Sequence, residues 1–447
     1  MLATLLSASL AMPASAAMTT EQRLRALENL VHEQQQEIKA LKGELKQQKA
    51  IGTATQQQAE RAEEGAKATE KKVVASIPEW ASKITPFGDF RIRHEGFYDQ
   101  QKTTSGNLHA RNRERIRWRF GAKYTYSDEL STTFRLASGN PDDPISTNET
   151  LTGNFTRKHV NLDWAFLTVA PGKTFGWRPG VLTLNGGKFP NPMFRVGEMV
   201  FDDDLSPEGF NETVQLLGEP CGPLDQVKVH VQQWTFNEAA NSQDGWMFGG
   251  QVNPLMHFGD VQLEGGIGQY WWLNPNTIAQ AANTNSVIAG FTTNKVIVNS
   301  DGDIEAFVSA FNQTNLTLAA TIPNVAGGTM PLKVFGDYVY NWQTVGNDAN
   351  GVQGGFRLGS PKEAGDWAAS LLYEYLQQDA TIGTFAWSDF GNGGTNQEGP
   401  VVALDYQLFK PLTLTARSYF TKYIDPPPNI IDNRMQVRLQ LDAQIRF

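Results

Sequence analysis

Apolar and polar residues alternate with a period of two along much of this chain. The clearest case is the C-terminal stretch, where Met435, Val437, Leu439, Leu441, Ala443, Ile445 and Phe447 share one parity. Gln436, Arg438, Gln440, Asp442, Gln444 and Arg446 share the other. A strand points successive side chains to opposite faces, so this segment has one apolar face and one polar face. Such a strand belongs between an apolar medium and a wet, charged one, and its terminal aromatic suits a β-barrel in a bacterial outer membrane.

The same alternation recurs. Phe90 and Ile92 oppose Asp89, Arg91, Arg93 and Glu95; Ile116, Trp118, Phe120, Ala122 and Tyr124 oppose Arg113, Arg115, Arg117, Arg119 and Lys123. Leu412, Leu414, Ala416 and Phe420 oppose Thr413, Thr415, Arg417 and Tyr419, with weaker versions at 160–166, 227–231, 332–340, 352–358 and 367–375. At roughly 20 to 25 residues per strand with its share of turn and loop, residues 86–447 predict an all-β, antiparallel transmembrane barrel of about 16 strands, within about 14 to 18. A barrel of that size leaves an aqueous channel, which points to transport.

The N-terminal part reads differently. Residues 1–17 hold a short apolar core and an Ala-x-Ala ending, the pattern of a secretory signal peptide. Residues 18–49 predict an α-helical coiled coil, with a positions at Leu24, Val31, Ile38 and Leu45 and d positions at Leu27, Gln34, Leu41 and Gln48. Residues 50–85 read as a helical or flexible spacer, ended by Pro78.

Composition narrows the function. Mean hydropathy of -0.38 argues against a helical membrane protein but suits a barrel, whose two faces average out. A net charge of -9 argues against a nucleic-acid partner. The single cysteine, Cys221, rules out an intrachain disulfide. Six scattered histidines without metal-ligand spacing, no Gly-x-Ser-x-Gly elbow, and a Gly391-Asn-Gly-Gly run without a following Lys-Ser give no catalytic, metal or cofactor site. The expectation is therefore not an enzyme.

The ladder Arg113, Arg115, Arg117 and Arg119 carries the sharpest chemistry. On a lipid face each guanidinium would cost about 2 to 4 kcal/mol at the midplane, so the ladder must face water or acidic partners. Closure sets the last strand beside the first, so Arg91, Arg93, Arg135, Arg438 and Arg446 join it as a basic stripe along the lumen wall. These arginines either pair with Asp89, Glu95, Glu114 or Asp442 and stiffen the wall, or they shape ion passage. Asp202, Asp203, Asp204 and Glu208 follow a strand end that breaks into a loop after Asn185-Gly-Gly-Lys-Phe-Pro-Asn-Pro. Three readings of that loop stay open: an inward constriction facing the arginines, a solvated extracellular loop, or a calcium site. Residues 274–299 and 383–399, rich in Asn, Thr, Gly and Ala, read as further extracellular loops.

Several of these segments also resemble a family. Gly88-Asp-Phe-Arg-Ile-Arg93, Arg111-Asn-Arg-Glu-Arg-Ile-Arg-Trp-Arg-Phe120, Leu136-Ala-Ser-Gly-Asn-Pro141, Gly186-Gly-Lys-Phe189 with Asn191-Pro192, and Asp203-Asp-Leu-Ser-Pro-Glu-Gly209 are similar to the putative porin family of Gram-negative bacteria, a relative of the phosphate-selective porins. The likeness is densest over residues 80–215. It implies an outer-membrane, homotrimeric diffusion channel for ions and small hydrophilic solutes, without specifying a substrate, since no lysine cluster like that of a phosphate-selective constriction is present. The heptad helices would then join three barrels on the periplasmic side. A different class of function is a closed barrel whose coil tethers the outer membrane to the cell wall.

Overall fold

The computed structural model describes residues 78–447 apart from 101, 105, 108–109, 241–242 and 326–329, together with residues 21, 24–25, 28–29, 31–43, 45–46 and 49. In the N-terminal unit, residues 31–43 are helical and a four-residue helix, Glu79–Ser82, follows Pro78. Leu24, Val31, Ile38, Leu41 and Leu45 of the heptad are exposed on the single chain. The expected signal segment, Leu27, and residues 50–77 of the expected spacer lie outside the described residues.

Lys83–Phe447 form the second unit, a closed barrel of 16 antiparallel strands. These are β1 (Ile84–Tyr98), β2 (Arg111–Ser127), β3 (Leu130–Ser138), β4 (Val160–Val169), β5 (Leu182–Lys188), β6 (Glu208–Gln215), β7 (Leu224–Asn237) and β8 (Gly245–Phe258). The circuit continues with β9 (Val261–Leu273), β10 (Asn312–Val325), β11 (Met330–Asn341), β12 (Asn350–Gly359), β13 (Trp367–Leu376), β14 (Gln397–Phe409), β15 (Leu412–Tyr423) and β16 (Gln436–Arg446). Closure is made by β1, whose Arg91 lies opposite Arg117 of β2 on one side and Gln444 of β16 on the other. No strand edge of the circuit is then left to seek another chain.

The period-two pattern sets the faces. Ile92, Leu318, Val334, Val352, Leu404 and Leu441 stand exposed on the outside, while Arg93, Glu95, Gln232, Gln313, Arg438 and Gln440 are buried within. In a membrane the outer set meets hydrocarbon and the inner set meets water or its own partners. Residues 128–129, 259–260 and 410–411 make tight turns at one end; 139–159, 189–207, 274–311 and 377–396 make long connections at the other. Exposed aromatics mark both ends, Tyr126, Phe258, Trp367 and Phe409 near the turns and Phe248, Trp271 and Trp342 near the loops, the girdle positions of a membrane barrel.

The loop end differs from the sequence expectation in two ways. Segment 274–299 is not plain loop: it holds the short helices Asn276–Ala281 and Ser286–Phe291, the second capped by the Asn285 side chain, which accepts from the Val287 and Ile288 amides. Inward positions there are also apolar rather than polar. Trp234, Met247, Tyr270, Trp272, Val339 and Leu376, all facing inward from β7 to β13, bury against loop residues Phe189, Met199, Phe201, Phe311 and Ile382. A hydrophobic core thus fills that side of the loop end, and the loops fold in because it removes their apolar side chains from water.

Candidate functional site

The arginines of β1, β2 and β16 face the lumen as one wall. Arg93, 2% exposed, grips Asp442 with two bonds, Nε to Oδ1 at 2.7 Å and Nη2 to Oδ2 at 2.8 Å, and donates from Nη1 to Asp389 at 2.9 Å. Arg117 and Arg119 share Asp89, at 3.0 and 2.6 Å from their Nε atoms. Arg113 and Arg438 share Glu95, which has no solvent exposure; the Arg438 Nη2 bond to it is 2.5 Å. Arg91 donates to Asn148 at 2.5 Å and lies 3.7 Å from Asp442. Arg115 reaches the Asn148 carbonyl at 3.3 Å and lies 3.9 Å from Glu95.

Other positions on the stripe behave differently. Arg135 pairs with Asp163 at 2.5 Å and lies 3.4 Å over the Trp164 ring, a packed cation–π contact within the wall. Arg446 sits at the turn end, its Nη2 3.4 Å from the Gln444 side-chain oxygen. Glu114 is not a partner of the ladder: it has the opposite parity, faces outward and contacts His94 at 2.6 Å.

Two loops bring carboxylates onto this wall. The connection from β5 to β6 starts at Gly187, φ +126°, paired across the ladder with Gly209, φ +131°. A Cβ at either would lie within 2.3 Å of a backbone oxygen of the neighbouring strand, so the close approach that aims this loop requires glycine at both. Phe201 then anchors the loop, packing edge-on to Trp234 and Tyr270 with ring centroids 5.4 and 5.2 Å away. The three aspartates that follow are placed by that anchor.

They do different things. Asp204 accepts from Arg119 Nη1 at 3.0 Å and from the Thr147 hydroxyl at 3.0 Å. Burial opposes its charge, but Arg117, Arg119 and Arg91 hold its carboxyl down at about 2. Asp202 joins the two loops: its Oδ2 accepts the Ser388 amide at 2.8 Å and its own amide donates to the Phe385 carbonyl at 2.9 Å, tying this loop to the 377–396 connection. Burial and the nearby Asp204 push its carboxyl well above the usual range. Asp203 pairs with Arg195 at 3.0 Å. Glu208 lies apart from the wall; it begins β6 and pairs with Lys188 at 2.8 Å.

The second loop supplies a residue that the sequence reading passed over. Asp389 accepts from Arg93 and, at 2.6 Å, from Arg438, and those two guanidiniums outweigh its burial and keep its carboxyl well below the usual range. Ser388 and Asp389 line both a cavity of about 650 Å³ toward the turn end and one of about 200 Å³ toward the loop end. The visible signal was slight: one Asp in a Gly- and Asn-rich stretch. Among the described residues no group of three or more His, Cys, Asp or Glu side chains is placed to hold a metal ion.

A closed 16-strand barrel, apolar outside and charged within, is the architecture of an outer-membrane channel. The sequence profile of the family described as "Putative porin" matches residues 100–313 and 276–447, and the chain belongs to that family. No curated protein matches by sequence. Among solved structures, Pseudomonas putida OprB is similar with a TM-score of 0.51 at 12% identity, covering 82% of this chain and 94% of that one, a likeness of fold. Salmonella typhi OmpF in complex with daunomycin has a TM-score of 0.44 at 11% identity, over 81% of this chain and 97% of its own. OmpT of Vibrio cholerae in its trimer form has 0.43 at 10%, over 81% and 99%.

Proposed function

We propose that the protein is a diffusion porin whose constriction is the strip between the arginine wall and the two inward loops. Small hydrophilic solutes and ions pass by diffusion, sorted by size and by the fixed charges at Asp204, Asp389 and the facing guanidiniums. The observation that carries this reading is that loop carboxylates from two separate connections meet arginines of β1, β2 and β16 on the lumen wall. The helix bearing Leu24, Val31, Ile38 and Leu41 exposes an apolar seam, which supports a homotrimer joined by a periplasmic coiled coil.

The test is stepwise conductance of the purified full chain in a planar bilayer under a salt gradient. Steps in threes with a non-zero reversal potential are the expected result. A silent bilayer containing folded, inserted barrels would overturn the porin reading and favour the tether.

A further inference from the structure

The two lumen cavities differ in charge balance. Seven arginines and seven carboxyl groups line the turn-side cavity. The loop-side cavity has four arginines, Arg111, Arg113, Arg115 and Arg438, against Asp143 and Asp389. Asp389 is also engaged by Arg93, and Glu95 beneath is divided between Arg113 and Arg438. Among the described residues no carboxylate pairs with Arg111, and Arg115 keeps a buried Nε without a hydrogen-bond partner. Guanidinium charge is therefore in excess on the loop side.

That excess is arranged around rings. The guanidinium carbons of Arg438, Arg113 and Arg111 lie 5.1, 5.3 and 5.8 Å from the centroid of Phe97, and Phe291 contributes a second ring to the cavity. Guanidinium forks match carboxylates bidentately, and their planes stack on aromatic faces. At about 200 Å³ the cavity is smaller than the roughly 300 to 1,000 Å³ of drug-sized sites.

We propose that this cavity is a binding subsite for small aromatic carboxylates, the carboxylate held by Arg111, Arg113 and Arg115 and the flat ring against Phe97 and Phe291. The inference rests on the channel reading and deepens it by naming a solute class. A transit site must release its solute, so the dissociation constant belongs on the order of 1 mM.

Single-channel current in potassium chloride is the assay, with benzoate, acetate or benzyl alcohol added to the loop side. Benzoate is expected to interrupt the current at millimolar concentration; acetate, which lacks the ring, and benzyl alcohol, which lacks the charge, should each require at least about tenfold more. Arg111→Gln should weaken the benzoate block by about tenfold. Equal block by acetate would reduce the site to a charge filter and overturn the proposal, as would an unaltered benzoate block in Arg111→Gln. Calorimetric titration of benzoate into the detergent-purified full chain separates the two levels. Saturable heat that weakens in Arg111→Gln supports the subsite even if the bilayer is silent, whereas current without benzoate binding overturns the subsite and leaves the channel.

Discussion

Replacing Asp389 with asparagine keeps the shape of the side chain and deletes one charge from the boundary between the two lumen cavities. Arg93 retains its two-bond grip on Asp442, and Arg438 retains Glu95, so both guanidiniums stay in place and the wall gains one net positive charge. For an anion passing about 5 Å from the lost carboxylate, the repulsion removed is about 0.8 kcal/mol at the dielectric constant of water and about 3 kcal/mol at the effective value near a protein surface. The carboxylate side chain is 16% exposed, which places the effect between those limits. The lower figure alone corresponds to about a fourfold gain in anion occupancy relative to the parent. The assay is the reversal potential across a tenfold potassium chloride gradient, read as an anion-to-cation permeability ratio. The ratio should rise by at least about fourfold. An unchanged ratio, or a shift toward cations with the barrel intact, would refute the placement of Asp389 beside the conduction path.

Leu441→Arg puts a charge on the lipid face of β16 and should cost about 2 to 4 kcal/mol, seen as a lower urea midpoint for barrels folded in vesicles; a cost near zero would mean that this face does not meet lipid. Asp202→Ala removes the acceptor of the Ser388 amide, one of two direct bonds from Asp202 to the second inward loop, worth about 1 kcal/mol, and should raise open-channel current noise without closing the pore; noise equal to the parent's would show that the remaining contacts hold the loops. Burial pushes the Asp143 carboxyl up to about 6. Protonation below that value removes a negative charge from the loop-side cavity, so anion preference should rise as pH falls from 7 to 5, checked by reversal potentials; a flat profile would place Asp143 outside the path.

The barrel was legible because strand period and lipid contact are local and repeated: the parity of Met435 to Phe447 assigned the outward set, and the pairing of β16 with β1 puts Arg438 opposite Phe97, a short reach from Glu95. The same parity rule excludes Glu114, whose neighbours Arg113 and Arg115 turn inward. An inward course for the acidic loop was one of three readings that the sequence left open and for residues 383–399 it was not foreseen, because the choice depends on contacts far apart in sequence, such as Phe201 against Trp234, Tyr270 and Trp272. One trace of it exists: Tyr270-Trp271-Trp272 puts aromatic rings on both faces of β9, which a strand with lipid on one side and water on the other does not need. Arg111 escaped notice for a related reason, since its lack of a carboxylate partner becomes visible only when the partners of its neighbours are known.

The wall and the loops also explain each other. Arg91, Arg93, Arg113, Arg115, Arg117, Arg119 and Arg438 crowd three adjacent strands, and those strands offer only Asp89, Glu95 and Asp442 in return. A buried guanidinium left without a partner is costly, and like charges on neighbouring strands repel. The shortfall is met by Asp204 and Asp389 and by the uncharged acceptors of Ser146 and Asn148, all from loop-end connections. An arginine excess on the strands therefore favours the loop arrangement that brings Asp204 and Asp389 onto the wall. Substituting any one ladder arginine should loosen the loop residue that answers it, Arg119 with Asp204 and Arg93 with Asp389, so that selectivity and loop order change together.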